Sequence, residues 1–225
     1  MRILIGYSTD PVTVSLLREA GIEAWTCDLR PADHPWHIQD DIWNVAIGRW
    51  DGALFHPMCT YLTCTAAWTF NNPDFKKYPG VGYHQKVKPG TPVGLERRVL
   101  RAQALMNFKR LLSLPYPKAI ENPALSFASS IIRPPDQTIQ PYDFGDNASK
   151  FTGLWLDRIP KLKPTKRIRG RLVEWPPGSG IEVERWDNQL DSGNSKLPPG
   201  EDRWLERSYT YPGIAKAMAE QWWIK

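Results

Sequence analysis

Short β-branched apolar runs alternate along this chain with longer stretches in which apolar residues recur at helical spacing. That alternation predicts an α/β protein with a mostly parallel, buried sheet. Residues 2–6 (RILIG) read as a first strand ending in glycine. A polar turn follows, in which Ser8, Thr9 or Asp10 can cap a helix over residues 12–20, closed by Gly21. Residues 22–27 read as a second strand, with Asp28 at its end. Residues 51–55 form a third strand, broken at Pro57, which cannot donate to a ladder. Residues 60–70 are apolar enough to start a helix. The clearest helix spans 94–114, with Leu95, Val99, Leu100, Ala102, Leu105, Phe108, Leu111 and Leu112 marking its expected buried side. Residues 117–120 are a short strand ending at Glu121, 124–132 a short helix, 137–144 an extended segment, 151–156 a strand and 214–223 a terminal helix.

The strand and helix signals stop near residue 157. From 158 to 171 the chain carries seven basic residues and no acidic one, interrupted by prolines, which suits an exposed ribbon or arm. The expected organisation is a Rossmann-like core over 1–157, with helices on both faces of the sheet. A small basic, β-rich or loop appendage over 158–208 follows, and a helix over 209–225 packs back on the core. Residues 71–93 add Lys76, Lys77, Lys86 and Lys88 interleaved with Phe75, Tyr78 and Tyr83, a mixture suited to phosphate contact and base stacking.

Composition alters this picture only a little. Within 225 residues, 21 prolines imply many loops and 11 tryptophans supply rigid or stacking surfaces. A net charge of +5 permits a polyanionic partner without requiring one. Three cysteines fit a reducing compartment better than a disulfide framework. No run approaches the ~18–20 apolar residues of a membrane span, and the N-terminus is too short in apolar residues for a signal peptide. The expectation is a cytoplasmic protein. His34 and His37 lack partners at zinc spacing and read as loop residues, so no metal site is expected.

Candidate chemistry gathers at strand ends. In open α/β sheets ligands bind beyond the carboxyl ends of the strands. Cys59 stands on a loop just past such an end, and Glu121 closes a neighbouring strand. The opening strand–turn–helix–strand with Asp28 resembles a nucleotide-cofactor half-site, although the turn carries no G-x-G pattern. A lone cysteine is more often a packed thiol than a nucleophile, and Cys64, in the helix expected after Cys59, reads as packing. Beside a carboxylate, however, a thiolate can add to C6 of a cytosine ring while the acid stabilises N3 and the amine, making C5 nucleophilic.

Pro57-Met58-Cys59 resembles the Pro-Pro-Cys nucleophile motif of DNA cytosine C5-methyltransferases, and Glu121-Asn122-Pro123 resembles their Glu-Asn-Val motif. The chain is also similar to small phage-encoded cytosine-methyltransferase-like proteins. The pieces RILIGYS, AWTCDL, HPMCTYL, ENP, QTIQPYDFG and TYPGIAKAMAEQW carry that similarity over nearly the full length. The resemblance implies an S-adenosylmethionine-dependent methyltransferase fold and a cytosine C5-methyltransferase acting on DNA or a cytosine nucleotide, in a phage-infected or prophage-carrying bacterial cytoplasm. It implies Cys59 as nucleophile and Glu121 as the N3-side acid. Gly6 and Tyr7 would lie at the S-adenosylmethionine loop, Asp28 at its ribose, Asp41 and Ile42 beside the adenine, and Pro57 and Gly213 against the cofactor pocket. Gln137 and Lys150 would contact base or phosphate. Lys163, Lys166, Arg167 and Arg169 are the arm residues expected to contact DNA.

Several positions depart from the pattern. Thr9-Asp10-Pro11 replaces the usual glycine of the cofactor turn, Met58 replaces a proline, and the last motif lacks the asparagine of the larger enzymes. These departures keep open a related pyrimidine-modifying enzyme with another cofactor or substrate, and a catalytically silent nucleic-acid-binding relative.

Overall fold

The computed structural model describes residues 1–72, 90–198 and 209–224. The basic–aromatic loop expected over 71–93 lies mostly outside the described residues.

Seven strands make one sheet: β1 (Arg2–Gly6), β2 (Glu23–Asp28), β3 (His37–Gln39), β4 (Gly52–Phe55), β5 (Lys118–Pro123), β6 (Gln137–Ile139) and β7 (Thr152–Asp157). Their order is β3-β2-β1-β4-β5-β7-β6. The first five run parallel, whereas β7 is antiparallel to both β5 and β6. The protein is thus α/β, with a mostly parallel central sheet.

Helices cover both faces, which is why the central strands are apolar without alternation. On one face Ile3, Ile5, Leu54, Ala119 and Leu154 pack with α1 (Pro11–Glu19) and the terminal helix α5 (Pro212–Met218). A wider π-type turn, Ala219–Trp223, continues α5. On the other face Leu4, Ala53, Phe55, Ile120 and Trp155 pack with α2 (Ile42–Val45), α3 (Gly94–Leu112) and α4 (Phe127–Ile131). Trp155 is fully buried, edge-on to Phe108 at 5.0 Å, and its indole N–H is satisfied by the carbonyl of Arg133.

Four local expectations change. The expected buried side of α3 holds in its second half, where Phe108 and Leu111 are buried, and fails in the first, where Leu95, Val99 and Ala102 are exposed and Arg97 is buried. Its apolar residues lie on two sides, so spacing alone misread the first half. Glu121, Asn122 and Pro123 belong to β5 itself, paired with Leu154, Gly153 and Thr152 of β7. Cys64 is exposed at the start of a 3₁₀ helix, Cys64–Phe70, rather than packed. His37 opens β3, and its two ring nitrogens meet Thr26 Oγ1 (2.8 Å) and the Arg30 carbonyl (2.8 Å), so it is a strand residue.

The appendage is fastened to the core. Gln137 exchanges two hydrogen bonds with the backbone of Leu162 (2.8 Å each), and Gln221 does the same for Lys163 (2.7 and 2.9 Å). Trp222 donates to the Pro160 carbonyl. Residues 158–170 contain no strand. The ribbon comes after them, as β8 (Arg171–Glu174) paired antiparallel with β9 (Glu182–Arg185).

Candidate active site

The sheet reverses its winding between β1 and β4, since β2 and β3 lie to one side of β1 and β4 and β5 to the other. The crevice at the carboxyl ends of those two strands is where open α/β sheets take ligands. Beside it, the register pairs Phe55 of β4 with Ile120 of β5. One step further brings His56 beside Glu121, and His56 Nδ1 lies 2.7 Å from Glu121 Oε2. On the other side Lys150, from the connection between β6 and β7, brings its Nζ within 3.3 Å of Glu121 Oε1. Burial alone pushes the Glu121 carboxyl up, but the Lys150 ammonium and the His56 imidazole outweigh it and hold the group down at about 2. Glu121 is therefore a carboxylate over the physiological range, nine-tenths buried, with the Lys150 ammonium on one side and the His56 imidazole on the other.

The loop after β4 carries Cys59, and several elements fix its path. The His56 amide donates to the Gly6 carbonyl, which extends the β1–β4 ladder. Pro57 is buried, and its carbonyl accepts from the Asn122 side-chain amide at 2.9 Å. The amides of Leu62 and Thr63 close a turn on the Cys59 carbonyl (2.9 Å each). The amide of Phe127 holds the Leu62 carbonyl, and buried Arg97 donates to the Thr60 carbonyl at 3.0 Å. Cys59 stands exposed on this fixed turn, next to an equally exposed Met58. Cys27, by contrast, is fully buried, and burial pushes its thiol up to about 12, which removes it as a nucleophile. A small cavity lined by Glu121, Lys150, Thr152, Thr210, Tyr211 and Ile214 opens beside the carboxylate.

The residues expected at the cofactor divide into three groups. Gly6 and Ile42 are packing partners. A Cβ on Gly6 would meet Phe55 at 2.5 Å and Ile42 at 2.7 Å, so the glycine lets those side chains close over β1. Tyr7 holds a left-handed backbone (φ 58°), and its hydroxyl donates to Asn107 Oδ1, which also accepts from the Trp43 indole (3.0 Å each). Its ring packs against the buried cluster of Leu4 and Phe55, and burial raises its hydroxyl to about 12. Asp28 ends β2, and Asp41 stands just before α2. Asp41 caps α2 by accepting from the Trp43 amide. Asp28 Oδ1 accepts from the Arg30 amide and Nε, while Oδ2 has one long contact of 3.4 Å to Arg30 Nη2. Asp10 caps α1 through Oδ1, and its buried Oδ2 has no partner among the described residues. Asp28 Oδ2 keeps acceptor capacity for a hydroxyl group, and Asp10 Oδ2 is a buried acceptor whose partner, were a ligand to reach it, would be a hydrogen-bond donor.

Three residues expected at ligands are engaged within the chain. The Gln137 amide is engaged in its clasp on Leu162, so it holds the appendage rather than a base. Gly213 seats the first turn of α5 against residues 144–146 rather than the cofactor crevice. A Cβ there would lie 2.0 Å from the Phe144 carbonyl, and its amide donates to Asp146. Arg167 is neutralised internally by Asp143 (2.9 Å) and Glu184 (2.8 Å), and its guanidinium lies over Tyr142, which stacks on Trp186 at 3.9 Å. Lys163, Lys166 and Arg169 are exposed on the same strap and make no salt bridge among the described residues.

Sequence reasoning missed His56 and Asn122. Both stand inside the HPMC and ENP pieces, and only the folded register reveals them: adjacent parallel strands that align Phe55 with Ile120 set His56 against Glu121. Among the described residues no cluster of metal-ligating side chains occurs, and no helix is long and apolar enough to cross a membrane. No protein-family model matches the chain, and no curated protein matches it.

Proposed function

We propose that this chain is a cytosine C5-methyltransferase-type enzyme that acts on DNA, with Cys59 as nucleophile and Glu121 as the group that receives the pyrimidine edge. The observation that carries the reading is the Glu121 carboxylate, buried between His56 and Lys150 at the strand edge that also presents the Cys59 turn. A packed structural acid has no need of an exposed thiol on a braced loop that follows the neighbouring strand, whereas addition to C6 of a pyrimidine needs both. The seven-stranded sheet with its single reversed strand is compatible with the S-adenosylmethionine-dependent methyltransferase fold that the resemblance implies.

In this reading the Cys59 thiolate adds to C6 of the ring. Glu121 accepts a hydrogen bond from the exocyclic amine and faces N3. Lys150 keeps Glu121 ionised, and on the side that opens to the small cavity it supplies a donor for an oxygen of the nucleotide. Asp28 and Asp10 would hold S-adenosylmethionine, which when bound supplies the electrophilic methyl group. A target cytosine has to leave the duplex to reach a buried carboxylate. The exposed charges of Lys163, Lys166 and Arg169 supply the phosphate contacts that hold the strand.

Mass spectrometry of nucleosides from the DNA of cells expressing the protein tests this. 5-Methylcytosine is expected with the wild-type chain and not with Cys59→Ala. Unmodified DNA rejects the reading, and a different base mass redirects it to another electrophile.

A further inference from the structure

We infer that His56 is the proton donor behind Glu121, passing a proton through that carboxylate to N3 of the base as Cys59 adds to C6. The inference rests on the base-modifying reading of the site and assigns a role to a residue outside the nucleophile and acid motifs.

The geometry begins with the 2.7 Å contact between His56 Nδ1 and Glu121 Oε2. An ionised carboxylate only accepts hydrogen bonds, so the proton in this contact belongs to Nδ1. The charged groups facing the imidazole are Glu121 from β5 and, across that carboxylate, Lys150 from the β6–β7 connection; Cys59 lies on its own loop. The His56 side chain keeps about one-tenth of its surface exposed, which gives Nε2 a route to solvent, and Nε2 has no partner among the described residues.

The chemistry then requires a source for one proton. When the thiolate forms its bond to C6, the C5–C6 π pair shifts to make a C4–C5 double bond and the C4–N3 π pair moves onto N3, which must take up a proton for the adduct to persist. Lys150 and His56 hold Glu121 ionised at neutral pH, so Glu121 carries no proton of its own to give. His56 supplies it: the Nδ1 proton moves to Glu121 Oε2, the same proton then moves from Glu121 to N3, and Nε2 takes one proton from solvent. The thiolate charge and the added proton balance in the neutral adduct, and each transfer reverses when Cys59 leaves. Lys150 is the alternative donor, but losing a proton there would remove the cation that keeps Glu121 ionised for the next cycle.

Reversible addition at C6 lets C5 exchange its hydrogen with water, with no methyl donor required. The test is release of tritium from DNA carrying 5-tritiated cytosine. Wild type is expected to release it and Cys59→Ala is not. His56→Asn keeps an N–H toward Glu121 but has no second nitrogen to relay through. It is expected to slow release by about 10²–10⁴-fold with little change in KM, and added imidazole is expected to restore part of the rate. Release at the wild-type rate by His56→Asn overturns the relay. So does a loss confined to KM, or a nitrogen-15 spectrum of free protein placing the His56 proton on Nε2 alone. No release by the wild-type chain overturns the base chemistry itself, and the relay with it.

Discussion

Strand β5 carries two buried ion pairs, three residues apart, at opposite ends of the sheet. At one end Lys118 is fully buried, and its ammonium donates to the Leu114 carbonyl, the Tyr116 carbonyl and Asp157. Three donors meet three acceptors, and nothing is left over. At the other end Glu121 has two oxygens and about four acceptor directions, of which His56 and Lys150 occupy two. That end also has a cavity and an exposed thiol on a braced turn. The two pairs have the same class of partners and similar burial. They differ in remaining hydrogen-bond capacity and in access, and those two properties separate a site from a strut.

Exchanging the roles by mutation gives the largest expected effects. Glu121→Gln should reduce turnover per folded molecule by about 10²–10⁴-fold while leaving a folded protein, because an amide fits the space and can accept from His56 or Lys150. Lys118→Met should do the reverse. It strands two carbonyls and leaves Asp157 without its buried partner, at a cost of about 3 kcal/mol in denaturant unfolding, with turnover of the folded fraction unchanged. Loss of turnover in folded Lys118→Met would end the distinction.

Acid sharpens the same comparison at a smaller scale. A carboxyl held below its usual value favours the folded state above its unfolded value, and that contribution is lost as pH falls through the folded value. For Glu121 the window runs from 4.5 down to about 2. The contribution above that window is on the order of 3 kcal/mol. Denaturant unfolding should show the pH-dependent advantage of wild type over Glu121→Gln shrinking through this window. Asp157 works against burial in the same direction, lowered by its bonds from Lys118 and Arg158, but it is about one-third exposed and so contributes less. If the wild-type and Glu121→Gln curves keep a constant separation from pH 6 to pH 2, Glu121 is not held ionised by its neighbours.

The path from sequence to this site was legible where a local signal sufficed. The apolar runs placed β1, β2, β4, β5 and β7 within a few residues, and Pro57 placed the loop of Cys59. What was not legible depended on pairing between distant segments. His56 acquires its role only because β4 and β5 are neighbours, and no feature of the HPMC piece says which strand it will meet. The buried side of α3 failed in its first half for a related reason: Arg97 turns inward to serve the Thr60 carbonyl, and an arginine reads as surface in any pattern of spacing. Gln137 and Arg167 looked like ligand contacts because their residue types suit bases and phosphates, and only the folded chain shows Leu162, Asp143 and Glu184 already satisfying them.

Arg167 also gives the smallest and most discriminating prediction. Along one strap, residues 158–170, the same residue class plays both parts distinguished above. Arg167 is a strut, compensated by two carboxylates and seated over Tyr142, whereas the equally solvent-facing Lys163, Lys166 and Arg169 make no salt bridge among the described residues. A phosphate contact releases a counterion, so each one lost flattens the dependence of log affinity on log salt by about 0.9 on duplex DNA. Neutralising Lys163, Lys166 and Arg169 together should flatten that slope by up to roughly 2.7. Arg167→Met should leave the slope nearly unchanged and lower the thermal stability of the appendage, because Asp143 and Glu184 lose a shared partner. An equal change of slope from Arg167 alone would mean that its two carboxylates release it to the strand, and that a satisfied ion pair on this surface does not mark a strut.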